Sequence, residues 1–400
     1  MNQQKQMPNY TFALIVMFIV CFLIGFITTM NNSMIDFCTK AFDLNAQQGQ
    51  YVNTAFYGAY LLSIPFAMLM SKIGYKKTLL LGLAVAGIGF VINSFGIKSV
   101  LGSEVATIYA IFLGTMCLVA MGVVMLQNVA NPYVMVLGRP EKGAFRMTLS
   151  QALNSVATTV APMFITAVII GKQAPKPEAV PAPYLGIGLF TLLLCIVLFF
   201  LKLPEIKEEE QTAEVGTEVK QYKSSVFKYP HVWLGALGIF FYMGLEIGIP
   251  SMLPYKIENA TDFLWLYWGG MMVGRFVGAG ILAKFEPRKL LTACLLLGAC
   301  CVGLSFAFSG TASAYCLLAA GLFHSVMWPL IFNLGLQELG PHTKTASGVI
   351  NTGVIGGALL TPLMGWVVDI SAVGVALCLM FVYYIYELWF CWKGSKIGLK

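Results

Sequence analysis

Charge is what this 400-residue sequence has least of. Only 11% of its residues are Asp, Glu, Lys or Arg, against 58% hydrophobic, and its mean hydropathy is +0.78. A soluble domain is about 25% charged, so a single water-bathed core is excluded and lipid must solvate much of the chain. Histidine is scarce, three in all, and the ten cysteines lie mostly inside apolar runs without CxxC spacing. Neither a zinc cluster nor an extracellular disulfide framework fits that pattern. Nucleophile elbows and phosphate loops are missing too, so neither an enzyme nor a cofactor carrier is expected. The net charge of +7 is spread over short loops and implies no nucleic-acid partner. The first apolar run is too long for a signal peptide and lacks its small-residue cleavage site; it is expected to remain as a span.

What is present is a succession of long apolar runs. At about 20 apolar residues per crossing, they predict spans near 10–34, 51–71, 77–97, 105–130, 145–171 and 183–203, then 231–253, 263–283, 289–309, 311–337, 344–368 and 371–393. A polar stretch over 204–228, with Glu208-Glu209-Glu210 and several lysines, separates a first half (1–203) from a second (229–400). Gly58-Ala59 through Lys72-x3-Lys76-Lys77 is echoed 212 residues later by Gly270 through Lys284-x3-Arg288-Lys289, as in transporters built from parallel repeats. The fold class expected is therefore an all-α membrane protein, twelve helices in two pseudo-symmetric six-helix halves. Lys and Arg concentrate in alternate loops, among them the turns holding Lys72, Lys76, Lys77, Lys284 and Arg288. By the positive-inside rule both termini and the linker are cytoplasmic, and the expected location is a bacterial inner membrane.

Polar groups at membrane depth need a partner, a wet cavity or a task. The first span ends in Thr28-Thr29-Met30-Asn31-Asn32-Ser33 with Asp36 a turn beyond; the fourth carries Gln127, Asn128 and Asn131; the fifth carries Gln151 and Asn154. Amides both donate and accept, which matches sugar hydroxyls, although amides also bind helices to one another. Tyr57, Tyr133, Phe241 and Trp328 are aromatic faces on which a pyranose could stack. In the second half, Glu246, Arg275 and His324 are the polar intramembrane residues singled out. Glu246 and Arg275 could pair as a structural or gating ion pair. Arg146 and the two basic turns are expected to act at the cytoplasmic gate through helix C-termini and acids.

Taken in order, several pieces resemble the fucose:proton symporter and glucose/galactose transporter family, of the major facilitator type. They are Gly25-Phe26-Ile27-Thr28 through Phe42-Asp43-Leu44, Ala130-Asn131-Pro132-Tyr133 with Val136-Leu137-Gly138, and Phe145-Arg146 with Ser150-Gln151-Ala152-Leu153-Asn154-Ser155. They continue in Tyr267-Trp268-Gly269-Gly270-Met271-Met272-Val273-Gly274-Arg275-Phe276, Gly348, Gly356-Gly357-Ala358 and Gly365-x3-Asp369. The resemblance implies the major facilitator fold, alternating access around a central site, and sugar import, driven by protons in the best-understood branch. That branch carries carboxylates where this chain has Asn32 and Gln127. An amide keeps the hydrogen bonds but holds no exchangeable acid proton, so uniport, sodium coupling, or a proton moved to Asp36 or Glu246 all remain open.

The expected function is transport of a hexose, deoxyhexose or amino sugar by a monomer. Asn31, Asn32, Gln127, Asn131, Gln151, Asn154, Glu246 and His324 are the expected substrate residues, with a proton or sodium ion as partner. A cell-wall sugar fragment, an organic anion, or a non-transporting sugar sensor are the alternatives.

Overall fold

In hydrocarbon a backbone has no water to bond, so spanning segments close their hydrogen bonds internally, as helices. The structure, a computed structural model, describes residues 10–137, 143–170, 176–204, 225–282, 285–339 and 342–399. Among these no strand occurs. The first half comprises α1 (Thr11–Ala41), α2 (Ala46–Ile73), α3 (Tyr75–Ser99), α4 (Val105–Val136), α5 (Gly143–Phe164, continued by a π-helical turn) and α6 (Pro181–Phe200). The second comprises α7 (Pro230–Tyr255), α8 (Leu264–Leu282), α9 (Pro287–Leu304), α10 (Gly310–His324 then Met327–Gly335, bent by 41°), α11 (Thr345–Ile370) and α12 (Val373–Trp392). Ten of these are long and apolar enough to cross a membrane unaided, and the bent pair makes eleven. The twelfth, α8, carries Arg275 among several glycines. The linker expected over 204–228 lies mostly outside the described residues.

The two halves repeat one another in their packing. In the first, α3 packs on α4 and α6; in the second, α9 packs on α10 and α12. The sequence repeat has a structural counterpart at Lys76 and Arg288, which are 212 residues apart. Lys76 Nζ donates to Phe199 O at the end of α6, 3.0 Å away. Arg288 donates to Cys391 O at the end of α12, and to Ser395 Oγ and Gln337 Oε1. Each cation thus covers carbonyls left open at a helix C-terminus. Across the halves, α2 packs along α11 and α5 along α8, pairs that exchange when the halves are exchanged.

Proline shapes three of these helices. A proline cannot donate to the carbonyl four residues back. Pro250 frees the carbonyl of Glu246, and α7 breaks at Ile247. Pro329 frees Ser325, and α10 bends there. Pro362 frees Ala358 within α11, and Thr54 of the other half donates to that oxygen at 2.9 Å.

Candidate functional site

A partly open cavity lies between the halves. The first half lines it with Thr28 and Thr29 of α1, Tyr57 and Tyr60 of α2, Gln127 and Asn131 of α4, and Gln151, Asn154 and Thr158 of α5. The second half adds Glu246 of α7, Trp268 and Arg275 of α8, and Trp328 of α10. Of the residues singled out as substrate contacts, Gln127, Asn131, Gln151, Asn154 and Glu246 meet here.

Their neighbours hold several in place. Tyr60 donates its hydroxyl to Gln127 Oε1 at 2.6 Å, and Asn154 Nδ2 donates to Cys21 O at 3.0 Å. Gly25 permits that last contact. A Cβ there would stand 2.6 Å from Asn154 Nδ2. Thr29 Oγ1 and Trp268 Nε1 are buried wall groups with no hydrogen-bond partner among the described residues.

Three of the expected groups lie elsewhere in the structure. Asn31 and Asn32 do not line the cavity. Asn32 stands behind its wall, donating to Tyr57 OH at 3.0 Å, while Asn31 donates to Asn53 Oδ1 at 3.4 Å. His324 is completely buried inside the second half, its ring nitrogens 2.7 Å from Tyr267 OH and 2.6 Å from Tyr384 OH. It is a packed, hydrogen-bonded core residue. Asp36 lies at the far end of α1, 3.0 Å from Lys40, and also misses the cavity. Of the aromatic candidates, Tyr57 and Trp328 line it. Tyr133 instead stacks on Tyr75, and Phe241 stacks on Tyr383.

Arg275 is in the wall, and no ion pair joins it to Glu246 among the described residues. Its Nε donates to Ser325 O, the carbonyl Pro329 releases, at 3.3 Å. Its Nη1 donates to Gln151 O at 3.1 Å and to Ser155 Oγ. One guanidinium thereby ties α8 to the bend of α10 and to α5 of the other half. Arg146 Nε donates to Val134 O near the end of α4 at 3.0 Å. Lys72 and Lys77 are exposed. The bonds of Lys76 and Arg288 stay within one half, so they secure helix ends rather than latch the halves together. Lys284 lies outside the described residues.

Tyr60, Thr158 and Trp268 are wall residues not singled out from sequence. Helical spacing held a signal for two of them: Tyr60 follows Tyr57 by three, and Trp268 precedes Arg275 by seven, each on one face.

The face away from the termini is closed by bonds between the halves. Ala46 and Gln47 backbone N–H groups donate to the two oxygens of Asp369 at 2.9 and 2.8 Å. Gln50 Nε2 donates to Ser251 O at 3.0 Å, and Asn53 Nδ2 to Ser251 Oγ at 2.9 Å. Gly365 allows this approach, since a Cβ there would lie 2.8 Å from Ala46 O.

Residues 17–362 match the family model described as Major Facilitator Superfamily. The chain belongs to this superfamily. As a member of the superfamily it is a multi-pass membrane transporter, not an enzyme, and the twelve helices in two halves are the fold of that family. Among its relatives is the glucose/galactose transporter of Brucella abortus (strain 9-941), 34% identical over 99% of this chain and 97% of the relative. The L-fucose-proton symporter of Escherichia coli K12 is 29% identical over 87% of this chain and 85% of its own. In architecture the chain is similar to the crystal structure of the E. coli fucose:proton symporter FucP, with a TM-score of 0.72 at 24% identity, covering 96% of this chain and 98% of that one.

Proposed function

We propose that this superfamily member carries a small neutral sugar across a bacterial inner membrane by alternating access, as a monomer. The observation that carries the reading is the convergence of four amides (Gln127, Asn131, Gln151, Asn154) with four aromatic side chains (Tyr57, Tyr60, Trp268, Trp328) in one cavity between the halves. Amides meet hydroxyls as both donor and acceptor, and flat rings cover the apolar face of a pyranose. The names of the relatives, glucose/galactose transporter and L-fucose-proton symporter, support the same cargo class. Thr29 Oγ1 and Trp268 Nε1 add wall groups still without protein partners.

In this reading residues 1–203 and 229–400 rock about the cavity, and 204–228 connects them. The lysine-rich turns place the termini in the cytoplasm, so the closed face faces the periplasm. Glu246 is the carboxylate that lines the cavity among the described residues, and a proton on it is the coupling we favour. Asn32 and Gln127 stand where the family's proton-binding acids are expected and leave that task to another group.

The test is uptake of labelled hexoses, deoxyhexoses and amino sugars into proteoliposomes under a proton gradient, a sodium gradient, or neither. Accumulation of a sugar with protons alone is the expected result. Accumulation with sodium alone would replace the coupling ion, and equilibration under every condition would make the protein a uniporter. If no sugar crosses, the cargo assignment fails.

A further inference from the structure

Outside the cavity, the second half buries an acid for which the transport scheme above has no use. Glu387 lies on α12, five residues before the helix ends at Trp392. It is completely buried, and neither carboxylate oxygen has a hydrogen-bond partner among the described residues. Its Oε2 packs over the backbone of Gly238 on α7, 3.5 Å from where a Cβ would stand, and Ile331 and Phe390 close around the same spot.

Most charged and titratable groups on the surrounding helices are committed elsewhere; Tyr383 OH, a turn before Glu387, has no partner among the described residues, and His231 on α7 has its Nε2 3.1 Å from Gln337 O. On α7, Tyr242 donates its hydroxyl to His324 O at 3.0 Å. On α10, both ring nitrogens of His324 meet tyrosines, one of them Tyr384, a turn before Glu387. On α12 itself, Tyr386 donates to Leu234 O at 2.9 Å, and Cys391 lies a turn further on. On α9, the Arg288 guanidinium sits on Cys391 O, Ser395 Oγ and Gln337 Oε1. Lys396 lies beyond the helix, over Trp392. The acid of α11, Asp369, is at the opposite face, bonded to Ala46 and Gln47.

An ionised carboxylate sealed in such a place costs several kcal/mol unless a cation pairs with it. A proton removes the charge and most of that cost. Arg288 is the cation we assign to take over, because its acceptors are neutral oxygens and one of them, Cys391 O, lies a turn beyond Glu387.

We propose that Glu387 is a proton-binding site of the second half, loaded in the conformation seen here. On release its O–H bond breaks and the proton passes to water at the face that carries the termini. The carboxylate left behind pairs with Arg288, which leaves its neutral acceptors. The link to the cavity is α7, since Gly238, against which the acid rests, and Glu246 in the wall are two turns apart on that helix. The coupling role rests on the transporter reading above, whereas protonation of Glu387 does not.

The test pairs sugar accumulation with infrared spectroscopy on reconstituted protein. One unit of pH gradient is worth about 1.4 kcal/mol per proton and so sustains about a tenfold sugar ratio. Glu387→Gln is expected to lower the accumulation ratio by about tenfold per pH unit. Exchange of labelled for unlabelled sugar at equal pH persists in this variant. The carbonyl band of a protonated carboxylic acid disappears with the same substitution. Glu387→Asp keeps an ionisable group and is expected to retain both accumulation and band, which separates proton binding from packing should Glu387→Gln insert poorly. An unchanged ratio in Glu387→Gln overturns the coupling role, as does a wild type that exchanges sugar but never accumulates it with protons. An unchanged infrared band overturns the proton site itself. If the wild type moves no sugar at all, the transport reading fails, and the band still decides whether Glu387 holds a proton.

Discussion

In the cavity wall, Glu246 and Arg275 face the same problem of charge at membrane depth, and their surroundings meet it differently. Arg275 spends its Nε and Nη1 donors on Ser325 O, Gln151 O and Ser155 Oγ. Lysine has the charge but not the planar fork. Arg275→Lys is therefore expected to lose at least one charge-assisted bond, about 1.5–3 kcal/mol. The loss should appear as an uptake rate lower by about tenfold or more and as a lower melting temperature in detergent. A variant with wild-type rate and melting temperature would contradict the tie. Glu246 has a half-buried side chain on the cavity and its backbone at the break in α7. If it carries a coupling proton, Glu246→Gln lowers the proton-driven accumulation ratio by about tenfold per pH unit, while sugar exchange without a gradient survives. Loss of both activities would show that Glu246 serves binding instead.

Among the helices, breaks and bonds are linked through proline. Each of Pro250, Pro329 and Pro362 releases a carbonyl four residues back, and two of those oxygens receive a donor from another helix: Ser325 O from Arg275, Ala358 O from Thr54. In lipid a released carbonyl must find such a partner, so the bend in α10 and the position of Arg275 are mutually dependent. Pro329→Ala restores an amide donor for Ser325 O, which competes with the guanidinium and straightens α10. Slower uptake with retained expression is the expected result. The bend itself can be followed by spin-label distances between the ends of α10. An unchanged distance would mean that packing, rather than proline, sets the angle.

For the whole molecule, the relevant equilibrium is between states closed at one face and at the other. Here the face away from the termini is held by Asp369 on two backbone amides, by Gln50 and Asn53 on Ser251, and by Thr54 on Ala358 O. Asp369 is exposed, so solvent screens its contribution to about 1 kcal/mol, roughly a fivefold population shift. Asp369→Asn should move the distribution by that amount toward opening at this face, measured as spin-label distances between α2 and α11. A distribution identical to wild type would remove the latch from the gating scheme.

Span number, the division into halves and the 212-residue repeat were legible in the sequence, because each follows from hydropathy over some 20 residues or from spacing along the chain. So were five of the wall residues: amides and an acid are too costly in lipid to be there without reason. Which of the costly residues line the cavity was not legible. Asn31, Asn32 and His324 obey the same cost by bonding to Asn53, Tyr57 and two tyrosines. Those partners are between 22 and 60 residues away in sequence, and neither composition nor periodicity specifies them. Arg275 could have met Glu246 just as plausibly on sequence grounds, but the carbonyls opened by Pro329 and presented by α5 lie in its reach. The sequence determined that these groups had to be satisfied. Only the tertiary structure decided by whom, because a hydrogen bond is fixed by ångström distances between helices that the order of residues does not contain.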